Sequence, residues 1–198
     1  MKFYDVFRGT LKVFSKTFYK FEVLGLENVP KDGNVIVAAN HKSNLDPVFL
    51  ASAMDTREVA GVAKKELFEN KILGSILKGA NTIPINRDNP DISTIKKILK
   101  AIKEGYIVAI FPEGTRCKDP GFSDAKAGLG MFAVKGKASV IPVSIITNYK
   151  LFNKVTLYFD KPISFEEYYG QKLNSKDYER LSQNVLEVIK ENYYIYSN

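Results

Sequence analysis

Apolar positions along this chain recur with two periods that take turns. Residues 1–20 place Phe3, Val6, Phe7, Leu11, Phe14 and Phe18 at helical spacing, and Lys2, Arg8, Lys12, Lys16 and Lys20 fill other positions. Short apolar runs follow at 21–25, at Val35–Ala39 and at 59–63, each bounded by polar or turn-forming residues. Between them, residues after Pro47 begin a short helix. Leu67, Ile72, Ile76 and Leu77 predict another to about residue 78, with Gly74 interrupting it. A brief run at 81–87 contains Pro84, which removes a ladder donor and predicts an edge strand or a bulge.

The second half repeats the alternation. Ile92, Ile95, Ile98, Leu99 and Ile102 define one face of a helix over 91–104, and Gly105 supplies its stop. Residues 107–111 are the strongest buried-strand run, residues 127–137 predict a short helix despite Gly128 and Gly130, and 139–146 is a second long buried strand. Lys154–Phe159 reads as a last strand. Tyr178, Leu181, Val185, Val188 and Ile189 mark a closing helix from Ser175. Strands alternating with helical stretches predict an α/β fold, in a single domain with a mainly parallel or mixed β-sheet flanked by helices, preceded by an N-terminal amphipathic helix. We divide the chain into an amphipathic, membrane-associating segment at 1–20 and one domain at 21–198.

Composition narrows the function. The chain has 198 residues and a formal charge of +7, and residues 1–20 hold five of its cations against Asp5 alone. Phenylalanines on one side of a helix and lysines on the other form the pattern of an interfacial helix, and each cation near an anionic leaflet adds on the order of 1 kcal/mol. A helix docked on the domain is the competing reading. No run of 18 apolar residues predicts a transmembrane helix, and no signal-peptide pattern is present. The expectation is a peripheral, monotopic protein on the cytoplasmic side of a membrane. Cys117 is the one cysteine and His41 the one histidine, which argues against an intramolecular disulfide or a structural zinc site and implies no metal. Nothing matches a helix-turn-helix, an RNP motif or a zinc finger, so no nucleic-acid partner is expected. The lysines of 91–104 (Lys96, Lys97, Lys100 and Lys103) read as a solvated face or as a dock for an acidic carrier protein.

Candidate chemistry gathers where apolar runs end. Val35–Ala39 feeds directly into Asn40, His41, Lys42, Ser43, Asn44, Leu45, Asp46 and Pro47. A histidine is the natural general base near neutral pH, and an aspartate on its other ring nitrogen would fix its tautomer. The same residues also suit a helix start, with Asp46 as N-cap and Pro47 as first helical residue. The run at 81–87 closes on Arg87, and the run at 107–111 enters Pro112, Glu113, Gly114, Thr115 and Arg116. If these strands are parallel, their carboxyl ends share one edge and gather a base, an acid and two guanidiniums suited to phosphate oxygens.

Four blocks over about residues 21–160 carry a family resemblance. They are Asn-His-x-Ser-x-x-Asp from Asn40 to Asp46, Ile-Pro-Ile-x-Arg from Ile83 to Arg87, Phe-Pro-Glu-Gly-Thr-Arg from Phe111 to Arg116, and Val-Ile-Pro-Val from Val140 to Val143. In this order they resemble the glycerolipid acyltransferases, the 1-acylglycerol-3-phosphate acyltransferases in particular. Lys64 to Leu67 and Lys126-x-Gly128 also look like segments of that family. Cys117 departs from it, standing where a serine commonly follows the third block; with His41 already assigned, Cys117 has no second histidine to activate it.

The resemblance implies transfer of a fatty acyl group from a thioester to the free hydroxyl of lysophosphatidate, giving phosphatidate. His41 would be the base and Asp46 its orienting partner, without a serine nucleophile. Arg87, Arg116 and Lys64 would bind the acceptor's phosphate, and Asn40, Ser43, Glu113, Gly114 and Thr115 would organise the site. The resemblance implies no cofactor; the donor would be an acyl carrier protein or coenzyme A thioester. The blocks are shared with acyltransferases that use glycerol-3-phosphate or another lysolipid, which stay open as acceptors. A catalytically silent lipid-binding membrane protein is the alternative from another class.

Overall fold

The computed structural model describes residues 3–86, 91–117 and 121–197. Its elements run α1 (Phe3–Phe18), β1 (Lys20–Leu24), β2 (Val35–Ala39), α2 (Asp46–Ala53), β3 (Val59–Lys64), α3 (Lys71–Gly79), β4 (Ile83–Ile85), α4 (Ile92–Lys103), β5 (Ile107–Ile110), α5 (Gly128–Gly136), β6 (Ser139–Thr147), β7 (Lys154–Phe159) and α6 (Ser175–Ser197). A 3₁₀ turn at Lys65–Phe68 joins β3 to α3.

The strands form one mixed sheet in the order β1-β7-β6-β2-β5-β3-β4. β6, β2, β5, β3 and β4 are parallel; β7 runs antiparallel to β6, and β1 parallel to β7. The carboxyl ends of five strands therefore share one edge of the sheet with the amino ends of β7 and β1. Every residue of β2 is buried, as a central strand covered on both faces requires. Pro84 is tolerated because β4 is the outermost strand.

Two cores flank the sheet. Phe49, Leu50 and Ala53 of α2, with Tyr19 and Phe14, pack on the side chains of Val35, Val37, Ile141, Val143 and Phe159. On the other face Ile98 and Ile102 of α4, Leu129 and Phe132 of α5, and Leu181, Val185 and Ile189 of α6 cover Ile36, Ala38, Val108 and Val140. Successive residues of β2 thus point to opposite layers.

Several local expectations shift. Gly74 does not interrupt α3, and Asn70 caps its start, its side chain accepting from the N–H groups of Ile72 and Leu73. Gly74 lies inside the helix, at a position where a Cβ would sit 2.6 Å from the carbonyl oxygen of Phe68 and only glycine fits. Asp91 caps α4 through the N–H of Thr94. The N-terminal helix is continuous through Gly9 and Thr10 and docks on α2: Ser15 and Ser52 share a 2.9 Å hydrogen bond, and the Tyr4 hydroxyl accepts from Val59 N–H at 2.8 Å. Arg8 and Lys12 reach the carbonyl and carboxylate of Asp55, so these two cations of the helix face the domain. Phe3, Val6, Val13 and Phe18 stay exposed.

Candidate active site

The carboxyl end of β2 is where the buried polar residues collect. Asn40 is fully buried, and its amide bonds both backbone groups of Ile145 on β6, donating to the carbonyl at 3.1 Å and accepting from the N–H at 2.7 Å. A side chain thus continues the β2–β6 ladder for one step while the β2 backbone turns away into the next loop. That turn brings His41 over the sheet edge. Its N–H donates to Glu113 Oε1 at 3.0 Å, and its carbonyl accepts from Cys117 N–H at 2.9 Å.

The His41 ring is gripped from two sides. Nδ1 lies 3.0 Å from Asp46 Oδ2, and the imidazole stacks on Phe111 with centroids 4.1 Å apart and planes 19° from parallel. Asp46 has no exposed surface. Its Oδ2 also accepts from the N–H groups of Lys42 and Ser43, both at 2.7 Å, and its Oδ1 accepts from the Tyr149 hydroxyl at 2.7 Å. A carboxylate ringed by donors takes the proton-bearing face of the imidazole, so in the neutral ring Nδ1 is the nitrogen that carries the hydrogen and Nε2 the one with the lone pair.

Asp46 does not serve as the helix cap. Leu45 occupies the N-cap position, Asp46 is the first residue of α2, and its carboxylate turns back to the loop that carries His41. Ser43 Oγ accepts from Leu45 N–H at 3.2 Å and shapes the same loop.

Glu113 is as buried as the dyad and is spent on backbone. Oε1 takes His41 N–H at 3.0 Å and Oε2 takes Ser123 N–H at 2.8 Å, tying the loop after β2 to the two arms of the loop after β5. Gly114 has φ +71, a left-handed conformation that suits glycine, and its N–H closes a turn to the Phe111 carbonyl. Thr115 and Arg116 follow on the exposed side of that turn. Lys64, at the end of β3, is exposed and lies 3.3 Å from Glu66. It is two strands from β2, about 10 Å along the sheet edge. Arg87 lies outside the described residues. The structure therefore joins His41, Ser43, Asp46 and Glu113 in one hydrogen-bonded unit, ties the adjoining Asn40 to β6, sets Gly114, Thr115 and Arg116 beside that unit, and holds Lys64 on the same edge but apart. Among the described residues no buried side-chain nitrogen or oxygen lacks a partner, and no cluster of three or more His, Cys, Asp or Glu could hold a metal ion.

Sequence reasoning missed three contributors. Tyr149, Phe111 as a ring platform, and Lys42 complete the surroundings. Lys42 Nζ donates to the Gly121 carbonyl at 2.8 Å and sits over the rings of Phe122 and Tyr193, at 4.6 and 5.0 Å. Burial pushes the Tyr149 hydroxyl pKa well above the usual tyrosine range, and the Asp46 charge pushes it the same way. Nothing around residue 149 in the sequence marks it. The available signal was the strand before it: β6 lies beside β2, so whatever follows β6 meets whatever follows β2.

A family model described as Acyltransferase matches residues 20–146, which holds β1 to β5, all of β6 but its last residue, and every residue of the dyad's surroundings up to Ile145. The chain belongs to the acyltransferase family. Among curated relatives of this acyltransferase-family chain, the 1-acyl-sn-glycerol-3-phosphate acyltransferase of Bacillus subtilis (strain 168) is 37% identical over 137 residues, 69% of this chain and 63% of the relative. The protein of the same name from Streptococcus pneumoniae is 29% identical over 161 residues, covering 78% of this chain and 59% of the relative. The chain thus spans about three fifths of the length of both relatives. The crystal structure of the 1-acyl-sn-glycerophosphate (LPA) acyltransferase PlsC from Thermotoga maritima superposes with a TM-score of 0.73 at 28% identity, over 94% of this chain and 78% of that one.

Proposed function

We propose that this protein is a 1-acylglycerol-3-phosphate acyltransferase, which moves a fatty acyl group from a thioester to the free hydroxyl of lysophosphatidate. The observation that carries the reading is the buried His41–Asp46 pair at 3.0 Å, seated among the family's own blocks. His41 Nε2 removes the hydroxyl proton as the oxygen attacks the thioester carbonyl. The C–O bond forms, the C–S bond breaks, and the proton passes from the imidazolium to the departing thiolate. Asp46 holds the tautomer and offsets the transient positive charge, as the acid of a serine triad does, while the substrate supplies the nucleophile. Backbone N–H groups are the natural donors to the oxyanion. No metal or cofactor takes part.

Arg116, Arg87 and Lys64 bind the phosphate of the acceptor, with Arg116 on the loop that Glu113 anchors beside the dyad. The donor is an acyl carrier protein or coenzyme A thioester. Residues 1–20 attach the acyltransferase domain, residues 21–198, to the cytoplasmic leaflet. Exposed Phe3, Val6 and Val13 on α1 support that attachment, as does Phe3 packing on Gly79 beside exposed Ile72, Leu73 and Ile76 of α3. Among the described residues no helix is long and apolar enough to cross a membrane.

The test is incubation of the protein with palmitoyl carrier protein or palmitoyl coenzyme A and lysophosphatidate in anionic vesicles. Phosphatidate is the expected product. Acylation of glycerol-3-phosphate or another lysolipid instead would move the acceptor assignment. Vesicle-bound, folded protein inert with every donor and acceptor would leave a silent lipid-binding protein.

A further inference from the structure

The turn between β6 and β7 holds apolar side chains out to solvent. Residues 148–153 hold two non-glycine residues in the left-handed region, Tyr149 at φ +60 and Phe152 at φ +63. Such backbone persists only where the surroundings fix it. Here Asn148 Oδ1 accepts from Lys150 N–H and Asn153 Nδ2, both at 3.1 Å; Asn153 N–H reaches the Lys150 carbonyl; and Phe152 N–H donates to the Phe18 carbonyl at 2.7 Å. The outcome is a rigid turn with Leu151 56% and Phe152 62% exposed, its Phe152 ring 6.4 Å from the ring of exposed Phe18 at the end of α1.

Charge surrounds this apolar tip. Lys150 is exposed within the turn. Directly behind it, Lys16, Lys20 and Lys154 line an open cleft with Tyr19, Phe21 and Glu22, where Lys154 pairs with Glu22 at 2.9 Å. Four lysines against one nearby carboxylate, around three exposed apolar side chains, match an anionic lipid surface: rings and a leucine among the acyl chains, ammonium groups at the phosphates. The surface is continuous with the end of α1.

We propose that the 148–153 turn is a second membrane-contact element, inserting Leu151 and Phe152 into an anionic leaflet with Phe18 beside them. This rests on the reading of α1 as the membrane-associating helix and deepens it. The turn also carries Tyr149, whose hydroxyl binds Asp46. Insertion would seat the catalytic edge of the sheet at the lipid surface, so a lysolipid could reach His41 from the leaflet.

The chain contains no tryptophan, so a single introduced one reports its own surroundings. Full-length Leu151→Trp and, separately, Val13→Trp on exposed α1 are mixed with phosphatidylglycerol vesicles containing brominated lipid. The expected result for Leu151→Trp is a blue-shifted, bromine-quenched emission, stronger than with neutral phosphatidylcholine vesicles. The pair Leu151→Ser and Phe152→Ser, combined in one chain with an unchanged circular-dichroism melt, should weaken vesicle partitioning roughly tenfold or more. Quenching of Val13→Trp with none of Leu151→Trp would overturn the turn proposal and keep the α1 reading. Silence from both, with the protein left in the supernatant, would overturn both.

Discussion

Tyr149 donates its hydroxyl to Asp46 Oδ1 at 2.7 Å across 103 residues of sequence, so Asp46 is held by the β6–β7 turn as well as by its own loop. The two oxygens of Asp46 divide their work: Oδ2 faces His41 and the backbone of Lys42 and Ser43, and Oδ1 faces Tyr149. A hydrogen bond to a charged group contributes about 1.5–3 kcal/mol. Tyr149→Phe should therefore lower kcat/KM roughly ten- to a hundredfold. In an Asp46→Ala background the same change should cost little, because its partner is gone. Full additivity of the two losses in a double-mutant cycle would show that Tyr149 acts elsewhere.

Glu113 is a structural carboxylate on this account. Glu113→Ala strands two N–H donors, those of His41 and Ser123, each costing about 1–3 kcal/mol when buried. The expected result is a Tm lowered by roughly 4–24 °C. Glu113→Gln, which keeps one acceptor, should lose less. An inactive Glu113→Ala with a wild-type melt would mean that the carboxylate meets the substrate.

Alkaline pH should act through buried tyrosines. Tyr149 and Tyr4 have pKa values raised above 10.0, in both cases chiefly by burial. Once the pH passes about 10, the unfolded chain gives up these protons while the folded chain keeps them. The folded state then holds more protons, and stability falls as pH rises; below that value their contribution is fully present. Urea midpoints should drop above pH 10, and Tyr149→Phe should flatten the drop. A wild-type-minus-variant difference that is equal at pH 8 and pH 10.5 would contradict this.

Arg116 is exposed on the turn that Glu113 holds, free of any role in the core. Arg116→Ala should raise KM for lysophosphatidate by about tenfold with a smaller change in kcat, since a guanidinium–phosphate contact binds ground and transition states alike. Acylation of monoacylglycerol, which lacks the phosphate, should be nearly unaffected. Equal loss with both acceptors would make Arg116 structural.

What the sequence made legible follows from how local each signal is. The wholly apolar Val35–Ala39 and 107–111 runs announced central parallel strands because strands buried on both faces need no alternation. Pro84 announced an edge or a bulge, the places where a missing N–H is tolerated, and the edge is what the sheet order shows. His41 and Asp46 were legible because five residues separate them and one loop closes the distance. Tyr149 was not: its partner is set by the pairing of β6 with β2, a non-local fact carried by no residue near position 149. The same holds for Arg8 and Lys12. Helical spacing put them on the basic side of α1, but their contact with Asp55 depends on how α1 crosses α2. Lys154–Phe159 likewise reads as alternating in sequence, yet four of its six residues are buried because β1 and β6 flank it.

The most direct test of the central claim, that His41 is the general base, is the rate of phosphatidate formation by His41→Ala on anionic vesicles, with circular dichroism confirming the fold. The account predicts a loss on the order of 10²–10⁴-fold, the usual contribution of a positioned base. A folded His41→Ala protein that acylates lysophosphatidate at close to the wild-type rate would contradict it.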